Sequence, residues 1–385
     1  MIDSSPLKNH IQMKNKRNVF YSLLIIMVGV TYFPLLAQQK SSVQNVIETK
    51  DITIAHGPNS IVRTIKQDRH GNIWLASGEG LIRYDGKVFT NITSKVNSVR
   101  FFSVLEDRKG NFWFASIGSG VYYYDGKSFR NFTTKDGLAN DRVTNIYEDN
   151  SGYIWFGTEG GASLYDGKSF QNFKMNEAPL VTEADSVYTG TEPVHTKADS
   201  VHISFYQQPL PKNHWMHNDV NAIIEDKTGK FWFGTRGYAT VYDGKTFTTI
   251  INNNGKPFTN VRSIIKDKKG NIWLGGADGL WRYNGKTFTN FTQKFVGYIY
   301  EDKKGNIWTS SESVKNQNWV LSHYDEKSLL ENKPIVTKIK VNDKMLCGIL
   351  AANDGSIWFG GLKGVYRYDA NLPEGQHKTI TDFKK

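Results

Sequence analysis

Three arginines stand at the entry to short Val/Ile-rich runs: Arg63 in "IVRTIK", Arg100 in "VRFFSV" and Arg262 in "NVRSII". Aromatic residues accompany them at Phe101, Phe102, Trp281 and Tyr298, and Arg236 stands just ahead of Tyr238 in "TRGYAT". Arginine presents a planar fork of donors that grips a carboxylate in two places. Aromatic faces stack on sugar rings, and a few polar groups among apolar walls make a ligand site. Arg63, Arg100, Phe102, Arg236, Tyr238, Arg262 and Tyr298 are therefore suited to hold a sugar or an anionic ligand.

Other chemistries find less support. Glu79, Glu159 and Asp278 occupy comparable loops, but no spacing singles out an acid/base pair, and there is no nucleophile motif. "HWMH" at 214–217, with His195, His202 and Asp185 or Asp199 nearby, has the residue types of a metal site. Three-residue histidine spacing alone is weak, and an exposed polar loop explains it better, so no metal and no cofactor are expected. Cys347 is the one cysteine, which excludes an internal disulfide; its apolar surroundings suit a buried structural thiol. The triplets at Asn91, Asn131 and Asn290 match glycosylation acceptors but recur as part of a repeat.

That repeat supplies the elements. Seven tryptophans (Trp74, Trp113, Trp155, Trp232, Trp273, Trp308 and Trp358) each follow a glycine by three residues. Six have an aspartate six residues earlier; the seventh has Ala352. Ile or Val stands nine residues before each Trp, and "YDGK" or "YNGK" follows in most units. Each unit reads as four short strands, a to d: the Val-x-x-Ile run, the Trp strand, an aromatic strand ending in Tyr, and a last strand of the type "FTNFT". A Gly turn joins a to b, and Asp-Gly predicts a two-residue hairpin from c to d. A period near forty with four strands per unit predicts an all-β, seven-bladed β-propeller. The Trp spacing of 77 between the third and fourth units hides no eighth blade, because residues 174–217 lack the marks.

The recurring residues are blade mechanics, so function is expected where the blades differ, at the mouth shared by the d–a and b–c connections. The insertion at 174–217 and an enlarged b–c loop around Ser310–Ser322 fall on that face. An exposed Trp215 or Trp319 there is a candidate hot spot for a partner. Strand-like residues 43–55, within an N-terminal segment 38–58, and the tail "HKTITDF" at 377–383 compete for the outer edge of the last blade of a propeller spanning 59–385.

The first 37 residues read as an export signal: Lys14, Lys16 and Arg17 precede an apolar run from Val19, and Ala37 offers a cleavage point. Retention of Val19–Ala37 as an anchor is the rival reading. The net charge is +11; the first 37 residues hold four basic groups and one acidic, leaving +8 beyond them. Most lysines sit in turns such as "DGK" and "DKKG", which reads as solvated decoration. No nucleic-acid partner and no stable membrane insertion after cleavage are expected. Periplasm, cell surface and secretion all fit.

The units, of the form D-x-x-G-x-I-W followed by Y-D-G, resemble the two-component regulator propeller repeat over about residues 60–370. The resemblance implies the periplasmic sensor part of hybrid two-component systems, several of which are tied to polysaccharide recognition. The sequence shows no kinase, receiver or second membrane span after the last unit, so signalling by this chain alone is not expected. The reading it implies is an exported, non-catalytic propeller that binds a ligand, such as an oligosaccharide, or an envelope protein. A propeller lyase and an envelope scaffold are the alternatives.

Overall fold

The computed structural model describes residues 52–54, 56–94, 99–175, 214–313, 319–330, 334–340, 344–369 and 380–383. The segment 1–37, most of the insertion at 174–217, and His195 and His202 lie outside these residues.

Seven antiparallel sheets follow one another along the chain, and each runs a-b-c-d from its innermost strand outward. The innermost strands are Val62–Gln67, Phe101–Glu106, Val143–Glu148, Val220–Glu225, Ser263–Lys266, Val296–Glu301 and Leu346–Ala351. The chain is thus a seven-bladed propeller. The innermost strand of blade 7 packs on that of blade 1, which closes the ring. Gly360 permits this closure, since a Cβ there would stand 2.0 Å from the Val62 carbonyl oxygen. The tail segment Ile380–Asp382 takes the outer edge of blade 7, while Ile52–Ile54 pairs with Phe89–Asn91 as a fifth strand on blade 1. The two segments weighed for one edge cover two different edges.

In six blades the a–b turn is built on its aspartate. Asp68 Oδ1 accepts from the backbone N–H groups of His70 and Asn72, and Oδ2 accepts from the Asn72 amide and the Trp74 indole. The Trp-to-Asp bond recurs in six blades at 2.8–3.0 Å. Burial alone would raise the pKa of Asp68, but the bonds from Trp74, Asn72 and His70 outweigh it and hold the pKa below the usual value. Blade 7, with Ala352 in place of aspartate, meets the same need differently. Trp358 donates to Ser356 Oγ at 3.1 Å, and Ser356 in turn donates to Asp354 at 2.6 Å.

The tryptophans fill the seams between blades. Trp74 lies 4.3 Å from Phe112 of the next blade, Trp155 lies 4.5 Å from Phe231, and Trp358 lies 5.5 Å from Tyr84 across the closure. A second seam contact recurs: Glu106, Glu148, Glu225, Glu301 and Gln67 each accept from a backbone N–H in the preceding blade's a–b turn. Blade 5 carries Lys266 at that position, and a cleft of about 550 Å³ opens between blades 4 and 5 over Trp232, Val241 and Ile250.

Two local expectations change. The c–d connection is four residues long, since Tyr84 pairs with Phe89. Asp85 Oδ1 accepts from the backbone of Lys87 and Val88, so the side chain closes the loop and a two-residue turn is not needed. Trp319 is 4% exposed. It opens strand c of blade 6 and rests on Phe295 and on Gly297, whose missing Cβ makes the space. It is therefore core, not a hot spot, and Ser310–Ser322 is largely strand on either side of residues 314–318. The side chain of Trp215 lies outside the described residues.

Candidate functional site

The seven innermost strands wall an axial cavity of about 560 Å³. Their alignment on the tryptophans stacks the wall in rings. Eleven residues before each Trp stand Arg63, Phe102, Thr144, Asn221, Arg262, Gly297 and Cys347. In six blades the a–b register slips by an extra residue here, at Arg63, Phe102, Thr144, Asn221, Gly297 and Cys347-Gly348. A β-bulge leaves one residue out of the ladder and re-aims its side chain. In these six blades the bulged position lines the cavity, while the residue before it (Val62, Phe101, Val143, Val220, Val296 or Leu346) is buried in the core.

The wall has distinct arcs. Blades 6 and 7 contribute Phe295, Tyr298, Met345 and Cys347, an apolar arc. Blades 3 and 4 contribute Thr144, Asn145 and Asn221, an amide and hydroxyl arc. Arg63 of blade 1 and Arg262 of blade 5 flank the apolar arc, and Lys66 and Lys266 line the cavity from the same two blades. Among the described residues no Asp or Glu lines it. The Arg63 guanidinium sits 4.5 Å above the Phe102 ring. Arg262 donates to Asn221 Oδ1 at 3.2 Å. The Oδ1 of Asn145 is buried and accepts no hydrogen bond.

Two ionisable groups in the wall are perturbed. Lys66 is solvent-exposed, and desolvation by the surrounding cavity wall lowers its pKa. Burial pushes the Tyr298 hydroxyl up to about 12, with smaller contributions from Tyr300 and Cys347. Tyr298 is therefore a neutral hydroxyl, able to donate and accept, across the physiological range.

Of the residues singled out in the sequence, Arg63, Phe102, Arg262 and Tyr298 come together in this cavity. Arg100, Arg236 and Tyr238 do not line it. Arg100 stands two residues before the bulge and is exposed, and its carbonyl accepts from Ile117. Arg236 forms an ion pair with buried Asp219 at 2.9 Å. Burial raises the Asp219 pKa, against the pull of Arg236 and Arg262. Tyr238 packs on His217, whose Nδ1 accepts from the Tyr238 N–H at 3.2 Å. No cluster of metal-ligating side chains occurs among the described residues.

The three loop carboxylates have local duties. Glu79 accepts from the Asn59 N–H, Glu159 pairs with Arg142 at 2.7 Å, and Asp278 accepts twice from Thr259. Each ties a b–c loop to the d–a segment of its own blade. Lys66 escaped sequence reasoning, yet a signal was present. Eight residues before Trp the other units carry Leu105, Tyr147, Ile224, Ile265, Tyr300 and Leu350, so Lys66 is the single charge in its ring.

Comparisons with known proteins agree with this architecture. The model of the two component regulator propeller matches residues 56–79, 137–160, 214–237 and 255–278. No curated protein matches its sequence. Among solved structures it is similar to the extracellular domain assigned to a hybrid two component system of B. thetaiotaomicron, at 19% identity and a TM-score of 0.61, covering 84% of this chain and 44% of that one. The chain thus spans less than half the length of that domain. It is also similar to virginiamycin B lyase from Staphylococcus aureus (13% identity, TM-score 0.53, 82% of this chain and 97% of that one). A third similar structure is PorZ, a surface component of the type-IX secretion system of Porphyromonas gingivalis (14% identity, TM-score 0.52, 81% of this chain and 48% of that one). At these identities the likeness is one of fold. Among the described residues no helix is long and apolar enough to cross a membrane.

Proposed function

We propose that this chain is an exported, non-catalytic binding propeller, akin to the sensor domains it resembles, and that its ligand is an oligosaccharide held in the axial cavity. The observation that carries the reading is the wall of that cavity. Arginines, aromatic rings, amides and a neutral tyrosine hydroxyl converge on one space of about 560 Å³, within the usual size of a ligand pocket. A sugar needs those groups: flat apolar faces for the ring and a few donors and acceptors for its hydroxyls. The fold alone does not assign a function, and this assignment rests on the site.

Two further observations favour binding over catalysis. Among the described residues the cavity wall offers no carboxylate to serve as acid or base. The loop carboxylates Glu79, Glu159 and Asp278 are engaged in holding loops. The export segment at 1–37 and the likeness to an extracellular sensor domain support placement outside the cytoplasm.

The test is a thermal-shift screen of the chain without residues 1–37 against a panel of neutral and acidic oligosaccharides, with Arg63→Ala and Arg262→Ala in parallel. A bound ligand at 100 times its Kd stabilises by about 2.7 kcal/mol, which is a readable shift. The reading predicts a shift with at least one glycan that both variants reduce. No shift with any glycan overturns it.

A further inference from the structure

We propose that the cleft between blades 4 and 5 is a second ligand site, which takes a small aromatic carboxylic acid. The ring lies over Trp232, and the carboxylate accepts from the Lys227 backbone N–H beside the Lys227 ammonium group. This site is separate from the axial cavity and does not depend on what binds there.

The other seams show what this one lacks. In blades 2 and 4, strand a ends in a glutamate and strand b opens with a phenylalanine paired directly to it, Glu106 with Phe112 and Glu225 with Phe231. Side chains paired in this way stand side by side on one face of the sheet, with Cβ atoms about 4.5–5.5 Å apart. Each pair closes the seam to the preceding blade with two groups. The ring covers that blade's tryptophan, at 4.3 Å for Phe112 on Trp74 and 4.5 Å for Phe231 on Trp155. The carboxylate accepts from the N–H of the residue after the turn aspartate, at 3.0 Å from Arg69 and 2.8 Å from Asn150.

Blade 5 keeps the pairing and changes both members, since Lys266 faces Ile272. Lysine has no acceptor to offer the Lys227 N–H, and isoleucine brings no ring to Trp232. Where strand b of other blades opens with isoleucine, a different ring serves. Phe132 lies 6.0 Å from Trp113, Phe291 5.0 Å from Trp273, Phe383 5.0 Å from Trp358 and His323 4.5 Å from Trp308. Blade 4 has Ile250 where blades 2 and 5 have Phe132 and Phe291. Trp232 keeps the tyrosine contact, with Tyr283 at 5.5 Å. Blade 7 also lacks the glutamate, at Ala351, but there Lys303 bonds Asn353 across the seam at 2.7 Å.

The cleft of about 550 Å³ that results has an apolar floor of Trp232, Val241, Ile250, Ile272, Tyr283 and Phe288, and exposed Lys227, Lys230 and Lys286 at its rim. Among the described residues its one carboxylate is Asp226, which already accepts from Trp232 and Thr228. The Lys227 side chain crosses the seam over Gly270, as Arg69 crosses over Gly110 where it pairs with Glu106. Blade 1 thus holds a carboxylate with the N–H and the cation of one residue, next to that blade's own turn aspartate. Lys227 repeats both donors, and the ligand supplies the carboxylate. Drift in packing would account for either change in blade 5 alone. Both changes, at residues paired with each other, put the place of a ring beside the place of an acid. An aryl group joined to a carboxylate by a short chain fills both, and 3-phenylpropanoate is a simple example.

Isothermal titration with ligand-observed NMR provides the test. The probes are 3-phenylpropanoate, its neutral amide, and hexanoate, which keeps the acid and loses the ring. The proteins are the wild type, Ile250→Phe, Lys266→Glu, Lys266→Met and Arg63→Ala. Ile250→Phe fills the place of the ring and Lys266→Glu restores the internal carboxylate; both move the seam toward the other blades, so the fold is kept. The expected result is saturable binding of 3-phenylpropanoate with a Kd of about 1 mM or tighter, the range of a fragment-sized ligand. The amide and hexanoate bind about tenfold or more weakly. Ile250→Phe and Lys266→Glu lose the binding. Lys266→Met, which removes the charge without supplying an acceptor, and Arg63→Ala bind like the wild type. No saturable binding at about 10 mM overturns the proposal. So does an amide or hexanoate that binds as tightly as the aromatic acid, or binding that survives in Ile250→Phe or Lys266→Glu. Equal loss in Lys266→Met reduces the effect to bulk charge, and loss in Arg63→Ala moves the acid to the axial cavity; either also overturns it. The glycan screen reads the axial cavity alone, so each site can fail without the other.

Discussion

Removing one hydroxyl, that of Ser356, should measure what each blade gains from anchoring its tryptophan. Blade 7 alone replaces the turn aspartate with Ala352, and Ser356 Oγ is the acceptor for Trp358, whose side chain is buried against the closure of the ring. Ser356→Ala leaves the indole N–H buried and unpaired, a loss of about 1–3 kcal/mol. Unfolding entropy near 2.1 cal/mol/K per residue gives about 0.7 kcal/mol/K for a propeller of roughly 330 residues. A loss of about 2 kcal/mol therefore lowers the melting temperature by about 3 °C. The double variant Ala352→Asp/Ser356→Asn rebuilds the Asp–Asn–Trp set of blade 1 and should recover most of the loss. Ser128→Ala, in the exposed c–d turn of blade 2, is the control and should change stability by less than about 0.5 kcal/mol. Calorimetry with urea unfolding reads all three. A Ser356→Ala protein that melts with the wild type, or a double variant with no recovery, refutes the anchoring argument.

The turn aspartates also predict acid lability. The pKa values of Asp68 and Asp226 are held below the ordinary 3.8 by bonds that exist only in the fold, bonds that outweigh the opposing effect of burial. Groups with a depressed folded pKa stabilise fully above the unfolded value and lose that contribution as pH falls through the folded one. Urea midpoints should hold steady from neutrality to about pH 5 and fall steeply below about pH 4. The cleft between blades 4 and 5 should accept a larger side chain. Ile250 stands where Phe132, Phe173 and Phe291 fill blades 2, 3 and 5, so Ile250→Phe should raise stability by about 0.5–2 kcal/mol, read as a higher urea midpoint.

Much of this fold was legible because each blade solves one packing problem with one set of residues. Gly, Trp and Asp repeat at fixed offsets, and their recurrence gave the strands, their order and the turn faces. The bulge was not legible. An extra residue in the inner strand leaves the apolar pattern on either side intact, and only the pairing with strand b reveals that the residue eleven before Trp turns to the axis. The bulge takes Arg63 and Phe102 to the cavity, while Arg100, only two residues out of phase, stays at the surface; Arg262 reaches the cavity from just ahead of its strand, without a bulge. The engagement of Arg236 with Asp219 was equally hidden, since it joins a b–c loop to a segment seventeen residues away. Trp319 was misread because an aromatic in a long connection looks exposed until Gly297 is seen to make room for it.

Cys347 supplies the most direct test of whether a ligand occupies the axial cavity. It is the one cysteine of the chain, and it lines that cavity. Its rate of modification by a small thiol reagent therefore reports access to the site without any substitution. The account predicts that a glycan found to stabilise the protein slows this reaction severalfold at saturation, in step with its binding curve. A stabilising glycan that leaves the Cys347 rate unchanged at saturation would place the ligand elsewhere and contradict the account.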